Sequence, residues 1–245
     1  VLLKDHRSQL SSMDITRKDK FVYLLKNTLK NIIDNMLLSA LNVSSRFFLN
    51  LQVNFDGLPL YKSSSVNSWP ILLKIKGVTS PLPLGLFCGI GKPNLSIFLK
   101  DFLEELTELF SQGILCEKIT FTCEKLVFVC DTPARTFFQA IKGHNAFDGC
   151  GYCRQVGYRY HNTTVFQPRA GPARLDELYA QCGENNQLYL SPLGSLVPLM
   201  SNFPLDYMHS VLLGVTKKLF NFYFTSTKGM RLPCKLHNVT TFLFE

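Results

Sequence analysis

Between residues 49 and 143 the apolar pattern changes period in a fixed order, and that order limits the folds open to the chain. Residues 49–55, LNLQVNF, alternate Leu49, Leu51, Val53 and Phe55 with polar residues, which predicts a strand with one buried face. It runs into Asp56-Gly57 and the turn-rich stretch LPLYKSSS. WPILLKIKG (69–77) and PLPLGLFCGI (81–90) read as two more strands, so the three in succession predict an antiparallel meander. The period then becomes helical. Phe98, Leu99, Phe102, Leu103, Leu106, Leu109 and Phe110 recur at threes and fours, with Ser96 as the expected N-cap and Gly113 as the stop. KITFTCEKLVFVC (118–130) supplies one or two further strands and ends at Asp131-Thr132-Pro133. ARTFFQAIKGH follows as a helix ending near Gly143.

The order strand, strand, strand, helix, strand, helix is similar to the RNase H-like arrangement. That is an α/β core whose mixed sheet has three antiparallel strands, a crossover helix and a strand parallel to the first, with flanking helices. The first and fourth strands are then neighbours, and their ends carry Asp56 and Asp131. These acids lie 75 residues apart in sequence, and the topology would set them side by side. A divalent cation can offset the repulsion between two such carboxylates. Mg²⁺ takes oxygen ligands and keeps several waters. Two such ions activate a water and stabilise the leaving oxygen of a phosphodiester. Taken singly, each Asp is ordinary turn chemistry; the order of elements is what joins them.

The flanking segments differ. Residues 19–41 recur as an amphipathic helix through Leu24, Leu25, Leu29, Ile32, Ile33, Met36 and Leu37. Residues 145–200 are rich in Gly, Pro, Asn, Arg and Tyr and predict an irregular insertion with one short helix near ARLDELYAQ. Residues 203–224 are helical again, starting after Pro204. The expected organisation is a helical lead-in (1–48), a core (49–144), the insertion (145–200) and a helical segment (201–245). Trp69 and the many Phe residues are expected to be core.

Eight Cys are present, and Cys88, Cys116, Cys123 and Cys130 sit among apolar residues, which suggests buried thiols. Only Cys150 and Cys153 form a tight pair, Cys150-Gly-Tyr-Cys153. Such a loop offers two adjacent corners of a tetrahedral zinc site. His144 lies six residues earlier, and Asp206-x-x-His209 places an acid and an imidazole one helical turn apart. Cys150, Cys153, His209 and His144 would make a Cys2His2 site, with His209 the better candidate of the two histidines. A redox pair and two unrelated thiols are the other readings; the loop context argues against redox.

Lys plus Arg number 26 against 18 acids, a net charge of +8 that favours polyanions, although a basic protein with no such partner has the same balance. No apolar run approaches the roughly 20 residues of a membrane helix. The Cys content is below that of a disulfide scaffold, which leads us to expect a reducing compartment. The chain starts with Val and stops inside an apolar stretch, so a piece of a longer protein is expected.

Three strings together carry a resemblance: VNFDGLPLYKSSS (53–65), FVCDTPARTFFQAIKGHNAFDGCGYC (128–153) and SNFPLDYMHSVLLGVTKKL (201–219). They resemble eukaryotic DDE-type DNA transposases, of the CACTA-like cut-and-paste group. The resemblance spans the chain from about residue 49. It implies Asp56 and Asp131 as the first two catalytic acids, followed by the Cys150/Cys153 and Asp206/His209 motifs. It also implies Mg²⁺ or Mn²⁺, transposon ends and target DNA as substrates, a nuclear location and a homo-oligomer. The family's third acid, a Glu on a later helix, has no marked counterpart. Glu245 is the only Glu after His209, Glu177 and Glu184 are the fallback candidates, and the acid is expected beyond residue 245. A decayed or domesticated transposase acting as a DNA-binding scaffold is the non-enzymatic alternative, and a zinc-dependent binding module unrelated to transposases is the third.

Overall fold

A computed structural model of the chain describes residues 20–22, Leu25, Leu29, 45–60, 65–116 and 118–225. The chain divides into two compact units, Val1–Pro204 and Leu205–Glu245.

The first unit is α/β and is built on one mixed sheet. Its strands are β1 (Lys20–Val22), β2 (Ser45–Phe55), β3 (Leu58–Pro59), β4 (Val66–Ile75), β5 (Leu82–Ile90), β6 (Ile114–Cys116) and β7 (Ile119–Phe128). They lie in the order β1-β5-β4-β2-β7-β6, with the short β3 on β4. Strands β2, β4 and β5 are the antiparallel meander, and β7 runs parallel to β2 on its other side. A parallel pair needs a long crossover. Here α1 (Leu95–Phe98) and α2 (Lys100–Ser111) supply it between β5 and β6. Leu49, Leu51, Val53 and Phe55 are buried, as the alternation along β2 requires.

Several local boundaries differ from the sequence expectation. Asn94, not Ser96, caps the first helix, its Oδ1 accepting the Ile97 N–H at 3.2 Å. Burial of Leu95 and Phe98 starts the helix two residues earlier, and a break at Leu99 lets Phe102, Leu106 and Leu109 continue the apolar stripe. Gly113 does end α2, with φ +82°. Residues 114–116 were expected in no element, yet they form β6 and pair antiparallel with β7. The helix α3 (Thr132–Phe138) stops well short of Gly143. Ala140 turns left-handed at φ +54°, and the Ile141 N–H returns to the Thr136 carbonyl at 2.9 Å. Within the expected helix 19–41, Lys20–Val22 are extended and extend the sheet at β5, while Leu25 and Leu29 are helical and buried; the rest lies outside the described residues.

The 145–200 region is largely irregular. It holds a hairpin of β8 (Tyr158–Tyr160) and β9 (Thr163–Val165), a short helix α4 (Asp176–Ala180) and one 3₁₀ turn at Pro192–Ser195. Asn202 closes the β7 edge: its carbonyl accepts the Phe128 N–H at 2.7 Å and its side-chain amide donates to the Leu126 carbonyl at 3.0 Å.

In the second unit, Asp206 caps a π-helical stretch, Tyr207–Thr216, that runs into α5 (Lys217–Thr225). The start after Pro204 agrees with the sequence.

Candidate functional site

Asp56 follows the last residue of β2 directly, and Asp131 follows β7 by three residues. The parallel register pairs Val53 with Phe128. The same offset is carried past the strand ends by two further bonds. The Val129 N–H donates to the Val53 carbonyl at 2.8 Å, and the Asn54 side-chain amide donates to the Val129 carbonyl at 2.7 Å. Asp56 and Asp131 each lie two residues beyond this last bonded pair. The buried Cys130 thiol senses both. Burial pushes it up to about 12, and the charges of Asp131 and Asp56 add to the rise, against the Phe55 backbone hydrogen bond and Arg135.

Each acid is held by its own backbone. Asp56 Oδ1 accepts the Gly57 N–H at 2.8 Å. Asp131 is the N-cap of α3, and its Oδ1 accepts the Ala134 N–H at 2.7 Å. Both carboxylates are partly exposed.

The support beneath them is aromatic. Phe55, the residue before Asp56, stacks on Phe138 of α3 with ring centroids 3.9 Å apart and on Phe128 at 5.6 Å. All three rings are buried, so the strand that delivers Asp56 and the helix that Asp131 caps share one packed floor. Trp69 packs beside Phe137 and Phe138, as expected of a core residue. Its indole also explains the Asp-Gly sequence: a Cβ on Gly57 would lie 2.6 Å from the Trp69 ring.

Arg135 ties the acid-bearing helix to the Cys150–Cys153 loop. It is buried, its guanidinium lies 4.6 Å from the Tyr152 ring centroid, and Nη1 donates to the Tyr152 hydroxyl. Within the loop the two sulfurs are 3.4 Å apart. Burial opposes ionisation of Cys153. The backbone N–H groups of Gln155 and Gly171, the Cys150 thiol and the Arg174 charge outweigh it and hold the thiol below its ordinary value. The loop pairs with residues 172–174: Arg154 N–H bonds the Pro172 carbonyl at 2.8 Å and Arg174 N–H the Tyr152 carbonyl at 3.0 Å.

A buried charge cluster anchors this arrangement. The Arg174 guanidinium is fully buried, donates to Glu184 at 2.9 Å and to Asn185 at 2.8 Å, and reaches the carbonyls of Cys150 and Asp148. Arg154 also grips Glu184 at 2.9 Å. Burial works against the Glu184 charge, but bonds from Arg154 and the Leu175 N–H, with both guanidinium charges, hold its pKa below the ordinary value. Glu184 is thus engaged by two arginines rather than offered to a metal, and Glu177 lies exposed on α4. Sequence reasoning missed Arg135, Arg174 and Asn54, because isolated residues in loops and at strand ends leave no periodic trace.

His144 is exposed near the turn that precedes Cys150. In the second unit, His209 Nδ1 and Asp206 Oδ2 meet at 2.5 Å, and Asp206 also accepts the Met208 N–H at 2.9 Å. Burial would raise the Asp206 pKa, but its bonds to His209 and Met208 lower it overall. Among the described residues no group of three His, Cys, Asp or Glu side chains is placed to hold one metal ion. Nor is any described helix long and apolar enough to cross a membrane. No protein-family model and no curated protein matches this chain.

Proposed function

We propose that the chain carries an RNase H-like catalytic core of a DDE-type DNA transposase, with Asp56 and Asp131 as the first two catalytic acids. The observation that supports this reading is that the two acids follow the ends of adjacent parallel strands, whose pairing is continued past the ladder by the Asn54–Val129 bond. Two carboxylates so placed, each fixed by a backbone N–H, fit a hard divalent cation such as Mg²⁺ or Mn²⁺. When bound, such ions polarise the phosphodiester and activate the attacking water or hydroxyl. The chain's own part is to hold two acid side chains on a rigid aromatic floor. A net charge of +8 suits the DNA partner.

Cys150 and Cys153 offer half of a tetrahedral zinc site, and the thiolate-favouring backbone around Cys153 suits that use. Asp206 orients the His209 ring through Nδ1, the relation common behind metal-bound imidazoles. A nuclear location and self-association belong to the same reading.

The test is Mn²⁺ binding to the purified chain, followed by electron paramagnetic resonance, beside plasmid nicking. We expect Mn²⁺ to bind and either Asp56→Asn or Asp131→Asn to weaken it at least tenfold. Nicking should be absent, because two carboxylates do not fix two ions for in-line displacement. Mn²⁺ binding indifferent to both substitutions overturns the proposal. DNA binding without any Asp-dependent metal binding favours the non-catalytic scaffold. Nicking that depends on Asp131 shows that a third acid is supplied within residues 1–245.

A further inference from the structure

The β8–β9 hairpin has no part in the acid pair or the dithiol loop, yet its side chains are unusually committed. It turns at His161-Asn162, with φ of +42° and +61°, the left-handed pair that a two-residue hairpin requires. Every residue of β8 is exposed, Tyr158 at 52% and Tyr160 at 60%. Alternation puts both tyrosines on one face and Arg159 on the other. The Arg159 face is the anchored one. Arg159 Nη1 donates to Thr164 Oγ1 at 3.3 Å, and that hydroxyl donates to the Asn145 carbonyl at 2.6 Å. The Gly157 N–H holds the base of the ribbon to the Phe147 carbonyl at 2.6 Å. Both tyrosines and Arg159 stay exposed beside that anchor.

Side chains two apart on a strand stand about 6.8 Å apart, twice the 3.4 Å rise per nucleotide of a stacked strand. The local charge is one-sided. Residues 149–175 contain Arg154, Arg159, Arg169 and Arg174 and no Asp or Glu. Glu184 neutralises Arg154 and Arg174, so the exposed Arg159 and Arg169 set the sign of this surface. Exposed tyrosines beside unneutralised cations, with polar Asn162 and Thr163 between them, fit bases and phosphates. A purely apolar protein surface would leave those polar groups unmatched.

We infer that the β8–β9 hairpin grips an unpaired stretch of nucleic acid, with Tyr158 and Tyr160 stacking on bases and Arg159 and Arg169 meeting the backbone. The choice of DNA rather than RNA rests on the transposase reading; the stacking site itself does not.

The experiment measures anisotropy of a fluorescent oligo(dT), of the matching duplex and of oligo(U), with the whole chain in buffer free of added Mg²⁺, Mn²⁺ and chelator. Tyr158→Ala and Tyr160→Ala should each weaken oligo(dT) binding about tenfold, while Tyr158→Phe and Tyr160→Phe keep it within twofold. Arg159→Ala and Arg169→Ala should each lower the slope of log affinity against log salt by about 0.7. Photocrosslinking of the unaltered chain to 5-iododeoxyuridine oligomers, mapped by mass spectrometry, serves if the alanine variants unfold; the crosslinks should fall on Tyr158 or Tyr160. Alanine variants that bind like the parent, or crosslinks that map elsewhere, overturn the proposal. Equal tyrosine-dependent binding of oligo(U) keeps the hairpin and overturns its assignment to DNA. No Mg²⁺ or Mn²⁺ is added, so this assay reads the hairpin without the acid pair, and Mn²⁺ binding without DNA reads the acid pair alone.

Discussion

The Asn54 side chain donates to the Val129 carbonyl at 2.7 Å, across the last step of the parallel pair that delivers Asp56 and Asp131. The bond replaces the ladder where the strands stop pairing through their backbones. Asn54→Ala removes it and leaves the Val129 carbonyl short of a donor. The expected cost is about 1 kcal/mol in urea denaturation. Mn²⁺ affinity should fall with it, because the two acids lose their common register. Unchanged affinity at reduced stability would show that the register survives on the Val129–Val53 bond alone.

Asp131 has two separable duties. As the N-cap of α3 it accepts the Ala134 N–H, and in the proposed function it is the second metal-binding carboxylate. Asp131→Asn keeps an acceptor for the cap and loses the charge; Asp131→Ala loses both. Thermal denaturation should place the Asn variant close to the parent and the Ala variant about 1 kcal/mol lower. Both should lose Mn²⁺ binding. An Asn variant that binds Mn²⁺ normally would reduce Asp131 to a cap.

Glu184 sets the acid limit of the insertion. Its folded-state pKa is depressed, so the stability it contributes is present above the ordinary value of 4.5 and is lost as pH falls through the lower folded value. Urea midpoints taken from neutral pH down to about pH 3 should drop through that window. Glu184→Gln should flatten this part of the profile. It should also cost about 3–5 kcal/mol at neutral pH, because the fully buried Arg174 is left without its counter-ion. A profile identical in the two proteins would remove Glu184 from the acid response.

The dithiol is tested with Co²⁺ as the zinc stand-in. A sulfur-to-cobalt charge-transfer band should appear on titration and vanish in Cys150→Ser and Cys153→Ser. Purified protein should carry zinc in a one-to-one ratio. At mildly alkaline pH, alkylation should spare Cys130, whose thiol burial pushes up to about 12. A metal-free chain that stays folded and shows no band would leave the pair as two thiols joined by a hydrogen bond.

Period and turn chemistry settled most of the core before any tertiary structure was known. Leu49 through Phe55 could bury one face only as a strand, and Gly113 could only stop the helix before it. The succession of three strands, a helix and a strand already set β7 beside β2. Phase and partners lay outside local pattern. Asn94 caps α1 because Leu95 and Phe98 face the core, and Lys20–Val22 extend because β5 offers an unpaired edge. Asp56 and Asp131 were legible as strand-end acids, but the parallel register of their strands and the amide bond between residues 75 apart are tertiary. Gly57 read as a turn residue; its close approach to Trp69 is a matter of packing. The sequence by itself determined the elements and their order, since those follow from which side chains avoid water along a short stretch. Only the tertiary structure decided which polar groups meet, as with Arg174 and Glu184, because a buried charge chooses its partner by desolvation and reach rather than by spacing along the chain.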